Sequence, residues 1–105
     1  MSEETDLCHK IRNFAIADSI SFSNHAGDRM VERDISLDGV IKLIMTGDII
    51  EKQLNCNPCP NVLIHGYDRN GQLCHVSVAI CKSQLRIVTV YRPDEDKWID
   101  GKVRL

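Results

Sequence analysis

Hydrophobic positions recur at helical spacing through the first half of the chain and switch to strand-like alternation near residue 48. Residues 4 to 17 place Leu7, Ile11, Phe14 and Ala15 on one side, the stripe of an amphipathic helix. Ile20-Ser21-Phe22-Ser23 alternates like a short strand or an extended lead-in, and Ser23 suits the N-cap of a helix running to about Arg33. Asp34-Ile35-Ser36 breaks that helix. Ser36 caps a second one through LDGVIKLIMT, whose Leu37, Val40, Ile41 and Ile44 make it the better packed of the two. Gly47 stands where a left-handed residue is expected just past a helix end.

From Asp48 the period becomes two. DIIEKQ reads as a strand, NCNPCPN as a loop, and VLIHGYD and QLCHVSVAI as strands flanking Arg69-Asn70-Gly71. Asn70-Gly71 suits a type I′ hairpin turn. LRIVTVY is a further strand, ended by Arg92-Pro93. Helices followed by an antiparallel meander predict an α+β domain, with the helices on one face of a small sheet of three to four strands. Residues 1–19 read as a helical arm appended to a single domain over 20–105. Alternation puts Cys74, Val76, Val78 and Ile80 on one face and Leu73, His75, Ser77 and Ala79 on the other. In the last long strand, Val88 and Val90 share a face opposite Ile87, Thr89 and Tyr91. The second sheet face, carrying His75, Ser77, Thr89 and Tyr91, is then polar.

Composition narrows the class rather than the function. At 105 residues, 43% apolar and 27% charged, the chain is one ordinary globular domain. It contains no apolar run long enough to span a bilayer. The acidic start MSEETD lacks the order of a signal peptide, so the expected location is the cytoplasm. Five cysteines, an odd count without an export signal, read as free thiols rather than a disulfide framework. The formal charge of −2 argues mildly against an obligate nucleic-acid binder. Without Glu3, Glu4 and Asp6 the remainder is close to neutral.

The first of the two capped helices carries the most conspicuous chemistry. His25, Arg29 and Glu32 fall on one stripe, with Arg33 at its edge. On residue type alone such a stripe is a solvated face joined by weak ion pairs. His25 in the first turn is less ordinary, because the positive helix end disfavours a protonated imidazole. His75, Thr89 and Tyr91 are ordinary strand residues when taken singly.

The same residues carry a resemblance. FSNHAGDRMVERDIS, then VIKLIMTGDIIE, LIHGYDRNGQLCHVSVAI and IVTVYRPDEDKW together resemble the domain-of-unknown-function 4258 family over about residues 20 to 98. More distantly, that family is similar to the small RelE-like and BrnT-like ribonuclease toxins, which pair helices with a compact antiparallel sheet. The resemblance implies a RelE-like fold and a toxin-like, metal-independent endoribonuclease of a toxin–antitoxin module. It implies an RNA substrate, an antitoxin-like protein partner, no cofactor, and His25, Arg29, Glu32, Arg33, His75, Thr89 and Tyr91 as site residues. Two histidines would serve as base and acid, the arginines as phosphate clamps, and Tyr91 as a hydrogen-bond donor. Relatives commonly have Pro-Tyr-Pro where this chain reads Pro58-Cys59-Pro60.

Other readings compete with it. The amphipathic arm and the polar sheet face would also suit a non-catalytic module that holds a partner protein, since an isolated helix of that length is marginal in water. Cys56-x-x-Cys59 has the spacing of half a zinc site, but no second pair at that spacing completes it. The two short helices have the outline of a helix-turn-helix, yet LDGVIKLIMT offers only Lys42 to a phosphate and no base reader, which excludes DNA.

Overall fold

Both helix-capping serines do what their positions predict. The Ser23 hydroxyl accepts from the Ala26 amide at 3.0 Å and the Ser36 hydroxyl from the Gly39 amide at 3.0 Å. In the computed structural model, which describes residues 3–94, 96–99 and 102–104, these caps open α2 (Asn24–Glu32) and α3 (Leu37–Thr46). α1 (Glu3–Ile16) and a short strand β1 (Ile20–Phe22) precede them. β2 (Asp48–Gln53), β3 (Asn61–Tyr67), β4 (Leu73–Ile80) and β5 (Leu85–Tyr91) follow as the antiparallel meander. The sheet has five strands in the order β1-β5-β4-β3-β2, because β1 joins the edge parallel to β5. A separate pair, β6 (Trp98–Ile99) and β7 (Val103–Arg104), completes an α+β fold.

The helices cover one face. α3 packs on β3 and β4, α1 on α3 and β5, and α2 on β5. Ile11 of α1 is 2% exposed and belongs to the same core as Leu43, Ile64 and Ile87, so the N-terminal arm is docked on its own domain. β1 accompanies β5 only as far as Ile87. Beyond it the Ser23 amide donates to the Ile87 carbonyl and the Ser23 hydroxyl to the Val88 carbonyl, and α2 takes over as the cover of that strand edge.

Three local expectations need correction. In β5, Ser77 pairs with Thr89 but Val78 with Ile87, so Val88 is an extra bulged residue. The bulge sends Ile87 to the core face with Val90 and leaves Thr89 and Tyr91 on the opposite face. At the β3–β4 hairpin, Gly71 alone takes positive φ (75°), whereas a type I′ turn requires it at two residues. The loop instead has three residues, closed by Asp68, whose Oδ1 accepts from the Asn70 and Gln72 amides. Gly47 is extended (φ −80°, ψ 173°), not left-handed. It must be glycine because a Cβ there would lie 2.6 Å from the Leu43 carbonyl oxygen and 2.7 Å from that of His65.

α2 ends in a left-handed residue that is not glycine. Asp34 has φ 52°, its amide bonds to the Val31 carbonyl, and the Ile35 amide bonds to that of Met30, the Schellman pattern. An L-residue is disfavoured there, and aspartate less than most. Asp34→Gly is expected to stabilise the fold by about 0.5–1 kcal/mol, read as a melting temperature raised by roughly 4 °C.

The cysteines also depart from expectation. Cys59 and Cys81 form a disulfide with Cα atoms 5.1 Å apart, while Cys8, Cys56 and Cys74 are free. The β3–β4 register explains the pairing. Asn61 lies opposite Ala79 and the Ile80 amide bonds to the Pro60 carbonyl, so continuing the ladder brings 59 opposite 81. Bonded to Cys81, the Cys59 sulfur is not available to a zinc ion shared with Cys56. Burial pushes the Cys74 thiol up to about 11, which makes it an inert core residue.

Candidate functional site

The sheet face turned away from the helices is built from rows of directly paired residues. One row runs Asp48, His65, His75, Tyr91 across four strands, and the next runs Glu51, Leu63, Ser77, Thr89. The sequence-predicted polar face is therefore present, with His75 beside Tyr91 and Ser77 beside Thr89. His75 Nδ1 and the Tyr91 hydroxyl are 3.1 Å apart.

This face is not open. β6 and β7 lie over it, with the Trp98 indole edge-on to the His75 ring at 4.5 Å between centroids. Trp98 is 5% exposed and His75 is fully buried. Arg104 fixes the hairpin from its other strand. Its guanidinium makes two bonds of 3.1 and 3.0 Å to the Glu51 carboxylate and sits 4.5 Å over the Trp98 ring. Burial raises the Tyr91 pKa above its ordinary value against the opposing charge of Arg104, so the phenol stays protonated at neutral pH. His65 is held below its ordinary value by burial and by Lys102, with Asp48 opposing, and stays neutral.

Two clefts flank Tyr91 and Arg104. The larger, about 580 Å³, gathers Arg33, Arg92, Lys97 and Arg104 around the Tyr91 and Trp98 rings, with Asp94 as the acid on its lining. Arg92 is the brace of this region. Its guanidinium donates to the Leu73 carbonyl at 3.3 Å, the Arg33 carbonyl at 3.3 Å and Asp68 Oδ2 at 2.9 Å. It thereby joins the end of α2 to the β3–β4 hairpin and to β5. Arg104 is engaged by Glu51, whereas the exposed Arg33 side chain makes no hydrogen bond or ion pair among the described residues. The smaller cleft, about 190 Å³, is lined by Gln53, Asn61, Leu63, Ser77 and Thr89 beside Tyr91 and Arg104.

Of the seven residues predicted as a site, Arg33, His75, Thr89 and Tyr91 gather around these clefts, His75 from beneath Trp98. His25, Arg29 and Glu32 run along the side of α2 opposite Gly27 and Val31. Arg29 Nη1 pairs with Glu32 Oε2 at 2.6 Å, in a partly solvated i,i+3 bridge. No hydrogen bond, ion pair or ring contact among the described residues joins these three to His75, Thr89 or Tyr91. Arg92, Lys97, Trp98, Arg104 and Asn61 were not foreseen.

Among the described residues no helix is long and apolar enough to cross a membrane. No curated protein and no solved structure matches the chain. Residues 22–92, from the last residue of β1 through β5 and the Arg92 brace, match the model of the family described as domain of unknown function (DUF4258), and the chain belongs to that family.

Proposed function

We propose that this domain is a metal-independent endoribonuclease that holds single-stranded RNA in the cleft between Arg33 and Arg104. One observation carries the reading. Four cationic side chains surround two aromatic rings in one cleft of a chain whose overall charge is −2, and the phenol at its floor is backed by a buried histidine. Guanidinium groups pair with phosphate oxygens two at a time, and the half-buried Tyr91 ring is the aromatic surface left for a base to stack on, without demanding a sequence.

The step is an internal transesterification. The ribose 2′-oxygen forms a bond to phosphorus, and the bond from phosphorus to the 5′-oxygen breaks. The products are a 2′,3′-cyclic phosphate and a 5′-hydroxyl. Asp94 accepts the 2′-hydroxyl proton. Tyr91 donates its proton to the departing 5′-oxygen and regains one from solvent. With its proton on Nδ1, His75 donates to the Tyr91 oxygen, which leaves the phenolic hydrogen aimed at the leaving group and steadies the phenolate that forms. Arg33 and Arg92 stabilise the added negative charge on the phosphorane.

Purified protein in excess chelator is expected to cut RNA and leave cyclic phosphate ends. Arg33→Glu/Lys97→Glu should weaken RNA binding and reduce the slope of log affinity against log salt by about one per lost contact. His25→Ala/Arg29→Ala should keep cleavage within a few-fold of wild type. A folded wild type that cuts no RNA and causes no growth arrest on expression would sink the reading. An inactive His25→Ala/Arg29→Ala protein would move the site to α2.

A non-catalytic partner-binding module is the second reading, favoured by an apolar cleft on the other side of α2. Phe22, Met30, Ile35 and Leu37 line it, and Val31 and Leu37 are 84% and 54% exposed. Val31→Asp is expected to break such an association, detected as loss of a co-purifying protein, without affecting RNA binding.

A further inference from the structure

We infer that the hairpin of β6 and β7 is a proton-released strap, closed over the sheet while His65 is neutral and driven off when that imidazole takes up a proton. The inference stands apart from the ribonuclease reading, because Trp98 reports it without RNA.

The strap can leave without disturbing the sheet. β6 and β7, of two residues each, pair with each other and form no ladder with the five-stranded sheet among the described residues. Side-chain contacts hold them down. Trp98 sits on the His75 ring, and the Arg104 guanidinium bonds to Glu51 with its face over Trp98. A short pair held in this way can open locally while the core stays folded. The His65 and His75 ring centroids are 5.7 Å apart, so a chain of ring contacts runs from His65 through His75 to Trp98.

The charges around His65 divide by element. On the sheet, Asp48 of β2 stands directly opposite it and favours an imidazolium, while Tyr67 and His75 are its ring neighbours. From α3, Lys42 lines the same cleft, its ammonium donating to the Asp68 carbonyl at 3.1 Å. From the hairpin, Lys102 lines that cleft too and opposes a proton on His65. Lifting the strap removes Lys102, admits water and leaves Asp48 in place. The open form therefore binds a proton more tightly than the closed one. A ligand that favours one of two forms shifts the population toward it by the ratio of its affinities. Burial and Lys102 hold closed-form His65 below its ordinary value of 6.5. Closure is thus fully favoured above that value and weakens as pH falls from there through the closed-form value. Opening carries Arg104 away from both clefts beside Tyr91 and bares His75.

Trp98 is the lone tryptophan and is 5% exposed under closure, so its emission and its quenching by acrylamide read the opening. The full chain is titrated from about pH 8 to about pH 5, the range in which histidine changes charge. Below 6.5 the emission is expected to move to longer wavelength and quenching to rise, with the far-UV circular dichroism of the core unchanged. His65→Gln, which cannot take the charge, should stay closed across the range. Lys102→Gln, at an exposed side chain, should open less, because losing that cation narrows the difference in proton affinity between the two forms. A wild type whose Trp98 stays shielded to the acid end, or is exposed only as the core unfolds, would overturn the inference. An acid transition that persists in His65→Gln would assign the opening to protonation of Glu51 and overturn it as well. If His65→Gln fails to fold, Lys102→Gln decides, since a transition as full as that of wild type would remove His65 from the latch.

Discussion

Tyr91→Phe is expected to slow RNA cleavage by roughly 10²–10⁴-fold while leaving RNA affinity within a few-fold of wild type. The substitution removes one oxygen and keeps the ring that lies edge-on to His75, with centroids 5.2 Å apart. Stacking and cleft shape are therefore retained, and only the proton donor is lost. Single-turnover rates measured beside filter-binding affinities separate the two effects, since loss of a group acting in the transition state lowers the rate without weakening binding. A pH profile adds a second readout. Burial raises the Tyr91 pKa, so the phenol remains the proton-bearing form through neutral pH and the alkaline fall in rate should come above the pH at which an ordinary tyrosine titrates. A phenylalanine variant cleaving at the wild-type rate would remove Tyr91 from the chemistry.

That assignment shows which parts of the site could be read from the residues in order. α3 matched LDGVIKLIMT from Leu37 to Thr46, because its cap and apolar spacing agree. The polar sheet face was legible for the same reason, since alternation alone places His75 and Ser77 together. Ile87 was misplaced because a bulge inserts one residue without marking the sequence, and counting by twos passes straight through Val88. The parallel pairing of β1 with β5 joins segments more than sixty residues apart, and no local pattern encodes it. The cationic cleft was hidden by distance in the chain. Arg33 ends a helix, Arg92 ends a strand, and Arg104 arrives on a hairpin outside the family-like segment, so no single stretch looks basic. Arg33 itself appeared as the margin of a helical stripe. As the C-cap of α2 (φ −102°, ψ 4°) it leaves the helix geometry that aligned it with His25 and Arg29.

Asp68→Asn is expected to cost about 2–3 kcal/mol at pH 7, a fall of roughly 10–15 °C in melting temperature. The Asp68 side chain is 3% exposed and uses both oxygens, Oδ1 on two backbone amides of the hairpin loop and Oδ2 on Arg92. An amide has only one oxygen. Either it serves the loop and turns its NH₂ toward the Arg92 guanidinium, or it serves Arg92 and abandons the loop. The pH dependence separates this from a packing defect. Burial pushes the Asp68 pKa up, but the hydrogen bonds from Gln72, Arg92 and Asn70 outweigh it and hold the carboxyl below its ordinary value of 3.8. A pKa lower in the folded than in the unfolded chain contributes stability that is fully present above the unfolded value. That contribution drains away as pH falls from there through the folded value. Wild type and variant should therefore differ most at pH 7 and pH 5, and the gap should narrow below about pH 4. Denaturant melts at pH 7, 5 and 3 measure it, and a gap that stays constant to pH 3 would mean that the charge on Asp68 is not what stabilises the loop. The consequence reaches the cleft, because an Arg92 released from Asp68 is no longer braced against the Arg33 carbonyl. RNA affinity should then fall in Asp68→Asn at temperatures where the variant is still fully folded.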